Sequence, residues 1–158
     1  MAHDDEAGFT LLEMVVVVLL IAVTLSIASG VFAGYQARTA AQRAAKVFGR
    51  DLALARTSAL RARETAVVRF DEANRLYTIE LPASGTTIVR RAFGQDADVP
   101  LDTVDLRLQG DTLAFSSRGV GDLTGAGGAL GVARFVAGGV AYEVSFNSMG
   151  AARVQREG

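Results

Sequence analysis

The sequence predicts an α+β protein: one long N-terminal helix, membrane-spanning in its first half, packed through its second half on a C-terminal antiparallel β-sheet domain. Three observations carry this. Met14 to Val23 contains no polar side chain. Tyr35 to Arg63 is rich in Ala, Arg and Leu, all good helix formers, with its apolar residues at helical spacing. From Thr65 onward the pattern switches toward a period of two, with β-branched and aromatic residues recurring between turn residues.

Residues 1–8 form a short polar leader. Residues 9–33 follow as a transmembrane helix, its apolar character continuing through Thr24, Ser26 and Ser29 to about Phe32. Roughly 20 apolar residues suffice to cross the ~30 Å hydrocarbon core. Glu13 stands out at the head of this run. A carboxylate at full depth costs about 2.5 to 3.5 kcal/mol, and less near the interface, so its presence there points to a function.

Residues 34–64 read as the amphipathic, soluble half of the same helix, which spans about Phe9 to Arg63. Ala44, Phe48, Leu52, Ala55 and Ala59 are spaced by three or four and share one face, and Lys46, Arg50 and Arg61 fall largely elsewhere. Gly30 and Gly34 are the weak points of the helix, each costing about 1 kcal/mol against alanine. Residues 65–158 form the sheet domain. Strands are predicted at Thr65–Phe70, Leu76–Leu81, Thr86–Phe93, Val104–Leu108, Thr112–Phe115, Leu130–Val136, Val140–Phe146 and Ala151–Gln155. Ala137-Gly138-Gly139 is a hairpin turn, and the glycine-rich run Gly119–Gly128 a connection.

Composition narrows the chemistry. The chain of 158 residues has room for one membrane helix and one modest domain. It has no cysteine, hence no disulfide, thiolate site or cysteine nucleophile, and its single histidine, His3, lies in the leader. No imidazole remains in the folded part as a general base, which argues against an enzyme, and no cofactor or metal is expected. The net charge of -1 hides an uneven distribution. Asp4, Asp5 and Glu6 precede Phe9, and without them 14 acidic residues face 16 basic ones. Seven bases (Arg38, Arg43, Lys46, Arg50, Arg56, Arg61, Arg63) lie between Gln36 and Glu64, against Asp51 and Glu64 alone.

Gly8-Phe9-Thr10-Leu11-Leu12-Glu13 followed by an apolar helix resembles the processing site of type IV pilins and pseudopilins. The resemblance implies that a prepilin peptidase cuts between Gly8 and Phe9, that the new amine of Phe9 is methylated, and that Glu13 partners the N-terminal amine of a neighbouring subunit during filament assembly. Two features depart from the family pattern: the leader is acidic where family leaders are usually basic, and Gly30 stands where the family often has proline. Competing readings of the segment are a carboxylate snorkelling from an ordinary anchor, or a secretory signal cut near Val31-Phe32-Ala33.

The rest of the chain resembles the GspH/FimT minor pseudopilin family, which includes type II secretion system protein H. The resemblance lies in Ala44–Arg56, in Val67-Val68-Arg69-Phe70, in Leu113–Gly119 and in Tyr142–Val154. It implies a minor pseudopilin at or near the tip of a type II secretion pseudopilus, supporting protein export. Its implied partners are the other pseudopilins, prepilin peptidase, an inner-membrane assembly platform and membrane lipid. The location implied is the bacterial inner membrane, single-pass, with the C-terminal domain in the periplasm.

The alternative is a FimT-like minor type IV pilin that binds DNA for uptake. DNA-binding relatives resemble one another in a glycine, arginine, any residue, arginine motif, which is broken here at Gly150-Ala151-Ala152-Arg153-Val154-Gln155-Arg156. Arg153 and Arg156 remain as candidate phosphate contacts, a small footprint beside Glu157, so nucleic acid is not the expected partner. Asp96, Asp98, Asp102 and Asp105 offer carboxylates of the kind calcium takes, in a spacing that matches no defined loop. The glycines from Gly119 to Gly131 lack the Gly-Lys-Ser/Thr of a phosphate loop.

Overall fold

A computed structural model describes residues 10–94, 97, 99–108, 111–124, 126 and 130–157. The chain divides into two compact units, Met1–Tyr35 and Gln36–Gly158. One helix, α1 (Leu11–Ala62), contributes to both and runs unbroken through Gly30 and Gly34.

In the first unit α1 is apolar on every side, and its large side chains from Leu11 to Phe32 are exposed. It is long and apolar enough to cross a membrane. An apolar surface all around a helix needs lipid or other helices to cover it. Thr24 does not disturb this character, because its hydroxyl donates to the Leu20 carbonyl at 2.7 Å and is satisfied within the helix.

In the second unit the same helix becomes one-sided. Ala41, Ala44, Ala45, Phe48, Leu52, Ala55 and Ala59 are buried, all but two of them expected from spacing alone. The small alanines let the helix lie close to the strands, and Phe48 fills the centre. α1 ends at Ala62, with Arg63 in the left-handed region at φ 54°.

Eight strands follow: β1 (Ala66–Asp71), β2 (Leu76–Leu81), β3 (Thr86–Ala92), β4 (Thr103–Leu106), β5 (Thr112–Phe115), β6 (Gly131–Ala137), β7 (Val140–Phe146) and β8 (Ala152–Arg156). Each predicted strand is present; β2, β5 and β7 have the predicted ends, and the others are displaced by one or two residues at one or both ends. The Val104–Leu108 strand stops at Leu106, because the Leu108 amide folds back onto the Leu106 carbonyl at 2.8 Å.

The strands of the antiparallel β-sheet domain are divided between two sheets, β3-β2-β1-β5 and β4-β6-β7-β8. Between β3 and β5 the chain leaves the first sheet. Leu101 N closes the loop onto Phe93 O at 3.0 Å, and Asp102 N then opens the pairing with β6 at Val136 O, 2.8 Å away. Phe48 joins the sheets. Its ring lies 5.3 Å from both Phe70 and Tyr77 of the first sheet, and 5.5 and 6.0 Å from Phe135 and Phe146 of the second.

The β6–β7 turn shows why glycine is needed. Gly138 and Gly139 have φ of 53° and 75°, and a Cβ at Gly138 would stand 2.5 Å from that of Ala37 on α1. The Gly138 amide donates to Asp102 Oδ2 at 2.7 Å.

Candidate processing site and assembly surfaces

Gly8 and Phe9, the predicted cleavage and methylation positions, lie outside the described residues. Glu13 is described and sits in the first turn of α1. The turn is capped by Thr10, whose hydroxyl accepts from the Glu13 amide at 3.2 Å while its carbonyl accepts from Met14 N, also at 3.2 Å. Thr10-Leu11-Leu12-Glu13 therefore has the spacing of a capping box, a signal present in the sequence beside the processing motif. A carboxylate in the first turn also faces the positive end of the helix dipole. Together these hold Glu13 at a defined place at the head of an apolar surface.

The stem of α1 contains a charge that spacing could have exposed earlier. Asp51 lies three residues after Phe48 and four before Ala55, on the buried side, and is only 5% exposed. Its Oδ2 accepts from the Tyr77 hydroxyl at 2.8 Å and from Arg91 Nε at 3.0 Å, and its Oδ1 from Arg91 Nη2 at 3.4 Å. Helix, β2 and β3 thus meet at one carboxylate. Burial, followed by the charge and hydrogen bond of Asp51, pushes the Tyr77 hydroxyl far above its usual range and keeps it a donor. The hydrogen bond and charge of Asp51 also raise Arg91, so the guanidinium stays charged. A second tie runs from Arg56 Nε to the Gly119 carbonyl at 3.1 Å.

Arg153 and Arg156 are exposed on β8, an edge of the second sheet, opposite Ser145 and Tyr142. Three positions apart on a strand, they point to opposite faces. They do not converge on one footprint. Of the four aspartates considered for calcium, Asp96 and Asp98 lie outside the described residues. Asp102 is engaged by the Gly138 amide, and Asp105 lies 3.7 Å from Arg107. Among the described residues no group of three or more acidic or histidine side chains is arranged to hold a metal. The connection predicted at Gly119–Gly128 is described only in part. Its start is a turn in which Gly119 N donates to Ser116 O at 2.7 Å.

Residues 4–29 match the prokaryotic N-terminal methylation motif. Among solved structures, the chain is similar to the type IV minor pilin FimU of Pseudomonas aeruginosa PAO1, with a TM-score of 0.52 and 18% identity over 78% of this chain and 92% of that one. A second crystal form of FimU aligns with a TM-score of 0.49 and 17% identity over 74% of this chain and 92% of that one. No curated protein matches. The chain thus carries a prokaryotic N-terminal methylation motif at the head of a fold similar to that of a type IV minor pilin.

Proposed function

We propose that the chain is a minor pseudopilin, a structural subunit at or near the tip of a type II secretion pseudopilus, with no catalysis of its own. In this reading residues 1–8 are a leader removed by prepilin peptidase between Gly8 and Phe9. Phe9 is then methylated, residues 9–33 hold the chain in the inner membrane, and the domain from residue 65 stands in the periplasm on the helix stem 34–64.

The observation that carries the proposal is Glu13, a carboxylate fixed in the capped first turn of a helix that is apolar from Met14 to Val23. A carboxylate without a partner in lipid is costly, while one that meets an ammonium is largely compensated. The Phe9 amine of an adjacent subunit supplies that ammonium, and the exposed apolar side chains of α1 find neighbours when helices bundle. Assembly therefore draws on one charge pair and on apolar packing.

Glu13→Val tests this in cells that process and assemble the chain. Cleavage should persist, while incorporation into sheared filaments falls at least tenfold. Normal incorporation of the variant would remove Glu13 from assembly.

The similarity in fold to a type IV minor pilin favours a second setting, a type IV pilus. Its DNA-binding form would place phosphates on Arg153 and Arg156. DNA retention that declines with salt and is abolished in Arg153→Ala/Arg156→Ala would establish it. Retention unchanged in that double variant would exclude these two contacts.

A further inference from the structure

The second sheet ends on β8, and among the described residues no strand pairs with its far side. Ala152, Arg153, Gln155 and Arg156 are exposed and Val154 is half-buried. At the two ends of the β7–β8 ladder, Asn147 N donates to Ala151 O at 3.2 Å and Glu157 N to Ala141 O at 3.0 Å. Hydrogen-bonded and non-hydrogen-bonded pairs alternate along an antiparallel ladder. Arg153 and Gln155 therefore direct their N–H and C=O groups at Ser145 and Glu143, while those of Ala152, Val154 and Arg156 point away from β7. Main-chain groups so placed are a template for one more strand.

The side chains along this edge are basic and uncompensated. Neither Arg153 nor Arg156 forms an ion pair among the described residues, and the nearby acids are taken: Glu157 is held by Arg134 at 2.6 Å and Glu143 by Arg107 at 3.3 Å. The helix adds to the imbalance. A Cβ at Gly150 would lie 3.6 Å from the Leu52 carbonyl, and one at Gly49 would lie 3.4 Å from that of Ala152. β8 thus runs antiparallel to α1, and beyond Ala152 it passes the turn that carries Lys46, exposed and also without an ion pair among the described residues. Charges on an edge strand turn away strands of like charge and admit those of opposite charge.

The opposite facing of Arg153 and Arg156 selects the kind of occupant. A single phosphate cannot meet both, whereas an added strand presents its successive side chains to alternate faces. Residues directly across a strand pair share a face, so two acids three positions apart fall opposite Arg153 and Arg156, one on each side of the sheet. The β8 edge of a second copy does not fit, because it would bring arginines among arginines.

We propose that the free edge of β8 takes up an extended acidic segment of another protein as an added strand. The main chain of Ala152, Val154 and Arg156 pairs with it, and carboxylates three residues apart meet Arg153 and Arg156. Main-chain bonds supply affinity in such a contact, and the charged side chains fix register and choice of partner. The proposal uses the second unit alone and does not rest on the filament reading.

Full-length protein in detergent is titrated at low salt with the peptide Thr-Asp-Val-Thr-Asp-Val-Thr while amide hydrogen exchange is followed. Exchange should slow at Val154 and Arg156, whose N–H groups face outward, and stay unchanged at Gln155, which is already paired. The peptide Thr-Asp-Val-Asp-Thr-Val-Thr has the same composition with both acids on one face, and should bind at least fivefold more weakly. Arg153→Glu/Arg156→Glu should weaken binding of the first peptide by at least as much. Val154→Pro removes an outward N–H and no ladder bond, so it should abolish binding and leave the Tm near that of the parent. The exchange pattern of the parent chain decides the case if that variant fails to fold. Unchanged exchange at Val154 and Arg156 would overturn the proposal, as would equal binding of the two peptides. Tighter binding of an oligothymidylate, lost in Arg153→Glu/Arg156→Glu and kept in Val154→Pro, would make nucleic acid the occupant and overturn it too.

Discussion

At the scale of single residues, Asp51 shows how a charge can be structural. Its removal leaves the Tyr77 hydroxyl buried without an acceptor, at a cost of about 1–3 kcal/mol, while half-exposed Arg91 can return to water. Asp51→Ala should therefore lower unfolding free energy by about 2 kcal/mol in detergent and Tyr77→Phe by about 1 kcal/mol, with Asp51→Asn retaining part of the loss. Denaturant titration checks this, and an Asp51→Ala chain as stable as the parent would contradict it. Two carboxylates should give opposite pH signatures. The side chain and then the amide of Asn74 lower Asp71 below its usual 3.8, so its contribution is present above 3.8 and lost as pH falls through the lowered value. Glu72 is raised above 4.5 by Asp105, so its contribution is present below 4.5 and lost as pH rises through the raised value. Melting scans should show Asp71→Ala less stable than the parent at pH 7, the gap closing toward pH 3. Glu72→Gln should be more stable at pH 7, with no gain at pH 4. The spacing of Asp51 on the buried face was legible in the sequence, but its partners were not, since Tyr77 and Arg91 lie 26 and 40 residues away.

Secondary-structure elements were the most readable scale. The five residues chosen for the buried face of α1 are all 0–1% exposed, because a helical period fixes a face without knowledge of what covers it. Strand existence followed for the same reason with a period of two, and strand ends moved where a local bond, such as Leu108 N to Leu106 O, won over continuation. Phe48 joins the helix to both sheets, so Phe48→Ala should cost about 3–5 kcal/mol. Leu54→Ala on the exposed face should change stability by no more than about 0.5 kcal/mol in the monomer. Equal effects of the two substitutions would contradict the placement of the core. Gly138→Ala should also destabilise, through positive φ and the close approach to Ala37.

For the molecule as a whole, the division into two sheets was not legible. All eight strands carry similar local patterns, and only long-range pairing sends β4 to β6 while β1 takes β5. The methylation motif was more readable than the topology, because it is concentrated in a short run of residues. Residues 4–29 match the methylation motif, and within them Thr10 caps the turn that holds Glu13 before an apolar surface that nothing in the described chain covers. The proposed filament role depends on processing, since in that proposal Glu13 acquires its ammonium partner only once the bond before Phe9 is cut. Intact mass of the membrane-extracted protein tests this most directly. The account predicts a chain that starts at Phe9 and carries one added methyl group; a chain retaining Met1, or one starting beyond Glu13, would contradict it.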